Sequence, residues 1–161
     1  MRELRRKDKQ ITLEESLELL RIGEHGILST VDQEGQPYGV PLNYVYSDDA
    51  IYFHCALSGH KIDNIKNNSK VSFCVVGGTQ VLPADFSTNF VSMVIFGIAS
   101  EVKGEERYGG LIALLKKYSP DYLKEGKKYI EKLDKATKVI KIDIQQISGK
   151  RAPANAQQNQ E

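Results

Sequence analysis

The residues of this chain best suited to chemistry are a histidine and a lysine side by side after a glycine, Gly59-His60-Lys61. They follow the alternating stretch Ile51-Tyr-Phe-His-Cys-Ala56 and a small-residue turn, and they open a basic segment with helical spacing at Ile62 and Ile65. A helix start at that point combines free backbone N–H groups, the positive end of the dipole and a cation. That combination binds a phosphate group. His60 and Lys61 can each donate to phosphate oxygens, and Asn64, one helical turn on, points the same way with an amide donor. The plain alternative is a solvated basic helix continued by Lys66 and Lys70.

Other reactive groups are sparse. His25 starts a strand after a helix-ending glycine, where a structurally bonded histidine is the ordinary case. His54 alternates with Phe53 and Cys55, so it faces away from both, either into a cavity or into solvent. Cys55 and Cys74 lie in apolar strand patterns, outside any Cys-x-x-Cys pair or set of metal ligands. They read as buried reduced thiols, hence a cytoplasmic chain with no metal site. No nucleophile elbow, phosphate-loop lysine motif or His-Glu-x-x-His occurs, so hydrolase, nucleotide-triphosphatase and zinc-peptidase readings have no support. Asp48-Asp49 is turn chemistry.

The elements that must position these residues follow from pattern. Thr12 with Glu15 has capping-box spacing, Leu13, Leu17, Leu19, Leu20 and Ile22 supply an apolar face, and Gly23 ends the helix. Strands are predicted at His25–Val31, Tyr38–Tyr46 and Ala50–Cys55, with turns at Asp32–Pro37 and Ser47–Asp49. A short helix spans Lys61–Asn68, and Val71–Val76 is an apolar strand bounded by Gly77-Gly78. Thr79–Ser87, with Pro83 and no period, reads as a loop, and Phe90–Val102 as a long strand bent at Gly97. Helices at Glu105–Tyr118 and Tyr122–Leu133 precede a last strand at Lys138–Ile144. Residues 1–147 are expected to form one domain, and 148–161, rich in Ala, Asn and Gln, a disordered tail.

Strands joined by tight turns, without regular strand-helix alternation, argue for an antiparallel sheet closed toward a barrel. No Gly-x-Gly-x-x-Gly follows a first strand, which disfavours a parallel dinucleotide fold. The length, 161 residues, suits a single core. Lys+Arg 22 against Asp+Glu 21 leaves a charge of +1, so no global field advertises a nucleic-acid partner. The basic stretch Met1–Lys9 reads as a solvated arm, with no apolar run after it of signal or membrane-spanning length.

The run from Gly26 to Tyr46, with Ile51–His54 and Gly59–Ile65, resembles the pyridoxamine 5′-phosphate oxidase-like split barrels, and within them the 5-nitroimidazole-resistance branch. The resemblance implies a mainly β fold, a six-stranded antiparallel split β-barrel of Greek-key type with flanking helices. It implies a homodimer with FMN, or FAD in its place, in a groove at the interface. By position, Val40, Pro41, Leu42 and Asn43 run beside the flavin ring, and His54, Cys55 and Ala56 pass the ring and ribityl chain. His60, Lys61 and Asn64 hold the phosphate, while Ser92 and Val94 reach the flavin from the same or the neighbouring subunit.

Two departures qualify that carry-over. Tyr38, Val40 and His60 stand where the oxidase itself is richer in arginine, which weakens the expected hold on phosphate. The chain also has no tryptophan and lacks the oxidase's substrate-gripping terminal segment, so pyridoxamine-phosphate oxidation is not expected. The expected activity is flavin-dependent reduction of nitroaromatic compounds of the 5-nitroimidazole type, with a small-molecule electron acceptor and His54 as the catalytic proton source. The rivals are a flavin store or redox sensor, and a split barrel that binds F420 or heme, for which His25 or His54 would be the axial ligand.

Overall fold

In the computed structural model, which describes residues 4–132 and 136–153, the first helix begins as its sequence predicts. The Glu15 amide donates to Thr12 Oγ1 at 3.1 Å, and the Thr12 amide donates to Glu15 Oε2 at 2.9 Å. This helix, α1 (Leu13–Ile22), buries Leu19 and Leu20, whereas Leu13 and Ile22 lie outside its core stripe and stay exposed. There follow β1 (Gly26–Val31), β2 (Pro37–Leu42), β3 (Val45–Ser47), β4 (Ala50–Cys55) and α2 (His60–Asn67). The rest is β5 (Lys70–Leu82), β6 (Ser87–Val102), α3 (Gly104–Tyr118), α4 (Leu123–Lys132) and β7 (Lys138–Ala152).

The strands form one 7-stranded antiparallel sheet in the order β2-β1-β5-β6-β7-β4-β3. Six strands were expected; the count differs because Tyr38–Tyr46 is split at Asn43-Tyr44 into β2 and β3. Those two strands lie at opposite edges of the sheet, yet the link between them spans on the order of 10 Å. The sheet must therefore curl until its edges nearly meet, which makes a split barrel.

Register aligns Leu28, Phe73 and Ile95 across β1, β5 and β6, and all three are fully buried on the inner face. Ile51, Phe53 and Ile142 join them, with Ile62 and Ile65 of α2 and Leu19 and Leu20 of α1 packed against the same core. β4 is buried on both sides, because Ala50 and Tyr52 pack with Leu111 and Leu114 under α3. Gly26 is needed for close approach: a β-carbon there would overlap the Phe73 ring. Gly26→Ala is expected to destabilise the fold by about 1–3 kcal/mol. Urea unfolding measures it, and an unchanged midpoint would mean that Phe73 can yield.

Three boundaries differ from expectation. Gly77-Gly78 does not end β5; Gly78 takes φ 57 and absorbs a register shift, so pairing resumes at Gln80 and runs to Leu82. The expected loop is a hairpin, turned at Pro83–Asp85 and Phe86. β7, expected to end at Ile144, runs on to Ala152 and carries the sheet past the expected domain end at Ile147, pairing Ser148–Ala152 with β6. Small Gly149 suits this position because α1 and its approach lie directly above it, with Ile11 N donating to Gly149 O at 3.1 Å. The remainder of the expected tail, 154–161, and Leu133 lie outside the described residues.

The bend at Gly97 is present as a register shift between Phe96 and Gly97. Cys55 and Cys74 are free thiols, half-buried rather than buried. Among the described residues no helix is long and apolar enough to cross a membrane.

Candidate functional site

The start of α2 has the expected geometry. Gly59 occupies the cap at φ 135, a conformation costly for any residue with a β-carbon, and no side chain caps the helix. His60 is exposed and packs on Tyr38 of β2, with ring centroids 4.2 Å apart and tilted by 31°. Lys61 stands close enough to Cys55 for its charge to oppose the upward push that burial gives the thiol pKa. Asn64 is a correction: it is 2% exposed, and its Nδ2 donates to Thr30 Oγ1 at 2.9 Å. Its amide is spent on joining α2 to β1, because the helix turns this position toward the barrel with Ile62 and Ile65.

The end of β4 opens into a cavity of about 600 Å³ beneath α3 and α4. Asn43, His54, Cys55 and Ala56 line one side, and Leu111, Leu114 and Tyr118 of α3 face them. Ile130 of α4 and Thr137 complete an apolar space with a few polar groups, the usual composition of a small-molecule site. His54 thus faces the cavity, not the barrel interior, and burial lowers its pKa below the ordinary imidazole value. At neutral pH the ring is therefore mainly uncharged, offering one donor and one acceptor. Arg107 donates through Nη2 to Thr137 O at 2.9 Å, tying α3 to the approach of β7 beside the cavity.

Tyr118 explains how the link that carries Asn43 is held. The Tyr44 amide donates to Tyr118 Oη at 2.9 Å, and the same hydroxyl faces the carbonyls of Tyr44 and Glu24. Tyr44 itself is fully buried, donates to Leu20 O at 2.8 Å, and packs edge-on against Phe73. Tyr118→Phe is expected to cost about 1–3 kcal/mol, since a buried amide loses its acceptor. Hydrogen exchange at Tyr44 is the direct readout; unchanged protection would remove Tyr118 as the clamp.

The other expected residues fall elsewhere. Val40 and Leu42 turn toward the barrel core, while Pro41 faces outward opposite Ile27. Ser92 and Val94 lie on the outer face of β6, away from the cavity lining. That face also carries Ile27, Val76 and Phe96, exposed by 43%, 53% and 38%. His25 lines a separate cavity, and the described residues hold no group of metal ligands. The packing of Tyr38 on His60 and the clamp made by Tyr118 escaped the sequence because each joins segments distant in the chain.

Solved structures share this architecture. A candidate 5-nitroimidazole antibiotic resistance protein from Bacteroides thetaiotaomicron superposes with a TM-score of 0.72 at 22% identity, over 88% of this chain and 86% of that one. An FAD-binding protein from Mesorhizobium loti gives 0.63 at 26% identity, over 89% and 97%. An FAD- and heme-binding protein from Mycobacterium smegmatis gives 0.73 at 21% identity, over 89% and 73%. No curated protein matches the chain. The family model described as pyridoxamine 5′-phosphate oxidase matches residues 12–151, so the chain belongs to the pyridoxamine 5′-phosphate oxidase family.

Proposed function

We propose that this chain binds FMN and uses it to reduce small nitroaromatic compounds of the 5-nitroimidazole type. The observation that carries the reading is that one short segment joins the cavity to the helix start. His54, Cys55 and Ala56 line the cavity, and His60 and Lys61 follow at an uncapped helix start. The donor set fits a phosphate, with a fixed cation, an imidazole steadied by Tyr38 and a helix dipole. It lacks arginine, so the hold is sensitive to salt.

When bound, the flavin supplies the electrons. Asn43 offers polar contacts beside the ring, α3 and α4 supply apolar walls, and His54 holds a proton at the open side of the cavity. The similarity to a candidate nitroimidazole-resistance protein and to an FAD-binding protein supports this substrate class and a flavin, with FAD as the alternative form. The exposed apolar sheet face supports a homodimer, with Pro41, Ser92 and Val94 meeting the cofactor across the interface. The free thiols accord with a reducing, cytoplasmic setting.

The visible spectrum of the purified protein, with mass spectrometry of what it releases on denaturation, tests the cofactor. Deazaflavin or heme bands in place of flavin bands would replace the reading. Light scattering at micromolar concentration is expected to give a dimer. A monomer that still binds FMN tightly would sink the interface groove.

A further inference from the structure

The basic stretch at the start of the chain, expected as a solvated arm, is tied to the sheet. Its short turn at Lys7–Lys9 is closed by the Lys9 amide on Arg6 O and the Gln10 amide on Lys7 O, both at 3.1 Å. Gln10 then bridges to Lys150 of β7, and the buried Ile11 donates to Gly149 O. Between the arm and the strands lies a cleft of about 320 Å³. Leu4, Arg5, Arg6 and Lys9 line it from the arm, Phe90 and Lys150 from β6 and β7.

Register makes Phe90 and Lys150 diagonal neighbours on one face, and Lys150 Nζ stands 5.4 Å from the centre of the Phe90 ring. Arg6 is matched by Asp8, its Nε donating to Oδ1 at 2.8 Å. Among the described residues, Arg5, Lys9 and Lys150 have no ion-pair partner, and no carboxylate lines the cleft. In a chain whose formal charge is only +1, this concentration of unmatched cations is local, and it draws anions to one spot.

We propose that the cleft binds a nucleotide carrying two phosphates, of the ADP type, at a site separate from the flavin. Arg5, Lys9 and Lys150 together exceed what a single phosphate neutralises. Arg5 offers a forked pair of donors to phosphate oxygens, while the lysines act as point charges. Leu4 and Phe90 give the base an apolar wall, and an aromatic ring is a surface on which any base can stack. The volume is at the small end for ligand sites, which suits one base and not a dinucleotide. None of these residues belongs to the phosphate site at the start of α2.

The test is calorimetric titration of ADP, pyrophosphate and adenosine into the purified protein at low salt. ADP is expected to bind more tightly than either fragment, and to weaken as salt rises because Arg5 and Lys150 are exposed. Arg5→Ala and Lys150→Ala each lower ADP affinity about tenfold, with thermal unfolding unchanged. Phe90→Leu weakens ADP but not pyrophosphate. Lys116→Ala removes an exposed cation elsewhere and leaves ADP binding as it was; if it costs as much as Arg5→Ala, the attraction is diffuse and the proposal falls. Absence of ADP binding overturns it outright. Full ADP affinity in Phe90→Leu overturns the nucleotide class. Loss of ADP affinity in Lys61→Ala places the nucleotide in the flavin site and overturns a separate one. The reductase reading rests on the α2 site, so failure at the cleft leaves it standing.

Discussion

Lys61→Ala is expected to weaken FMN binding by about ten- to a hundredfold while leaving the fold intact, because it removes one charge-assisted contact worth about 1.5–3 kcal/mol. Lys61 lies at the exposed start of α2, whose inward packing is carried by Ile62, Asn64 and Ile65. The remaining donors are His60, stacked on Tyr38, and the uncapped backbone, neither of which supplies a permanent charge. The loss should therefore be larger at low salt and shrink as ionic strength rises. Lys61→Arg, which keeps the charge, is expected to retain most of the affinity. Titration of apoprotein by flavin fluorescence, with thermal unfolding as the fold control, decides the matter. Equal affinity in Lys61→Ala and wild type would remove Lys61 from the phosphate site.

That prediction rests on a part of the molecule that was legible in the sequence. The α1 capping box, β4 and α2 are specified by residues a few positions apart, so local spacing determines them: Thr12 finds Glu15, and Gly59 precedes the helix start. The split between β2 and β3 was not legible. Every residue from Tyr38 to Tyr46 tolerates extended backbone; the break is imposed by closure of the sheet and held by Tyr118, 74 positions away. The β5-β6 hairpin was hidden for a related reason. A glycine pair reads as a terminator, yet Gly78 serves as a bulge because β6 offers pairing partners beyond it.

The candidate site divides the same way. Alternation put His54 on the face opposite Phe53, and it lies there, but only α3 and α4 decide that this face is a cavity and not open solvent. Helical spacing put Asn64 near His60, whereas Thr30 on β1 claims its amide. Side-chain identity at close spacing survived; roles that depend on a distant partner did not.

The second large effect concerns His54. Its ring is exposed at an open apolar cavity shared with Asn43 and walled by Leu111 and Leu114, and in the proposed reaction it is the side chain there that hands a proton to a nitro group under reduction. Tyr118 also lines the space, but burial raises its pKa and its hydroxyl is engaged with the Tyr44 backbone. If His54 delivers the proton, His54→Ala keeps FMN but slows reoxidation of the reduced flavin by a nitroimidazole about 10²-fold or more. His54→Gln separates proton delivery from hydrogen bonding, since it reaches as far without titrating near neutrality. The sign of the pH dependence follows from burial, which penalises the charged ring and sets its pKa below the ordinary 6.5. The proton-donating form accumulates only as pH falls through that lowered value, so the wild-type rate rises toward acid and the Gln variant stays flat. Stopped-flow reoxidation across the three proteins reads all of this at once. Identical rates make His54 structural, and rates no faster than free reduced FMN would favour a flavin store or sensor over a reductase.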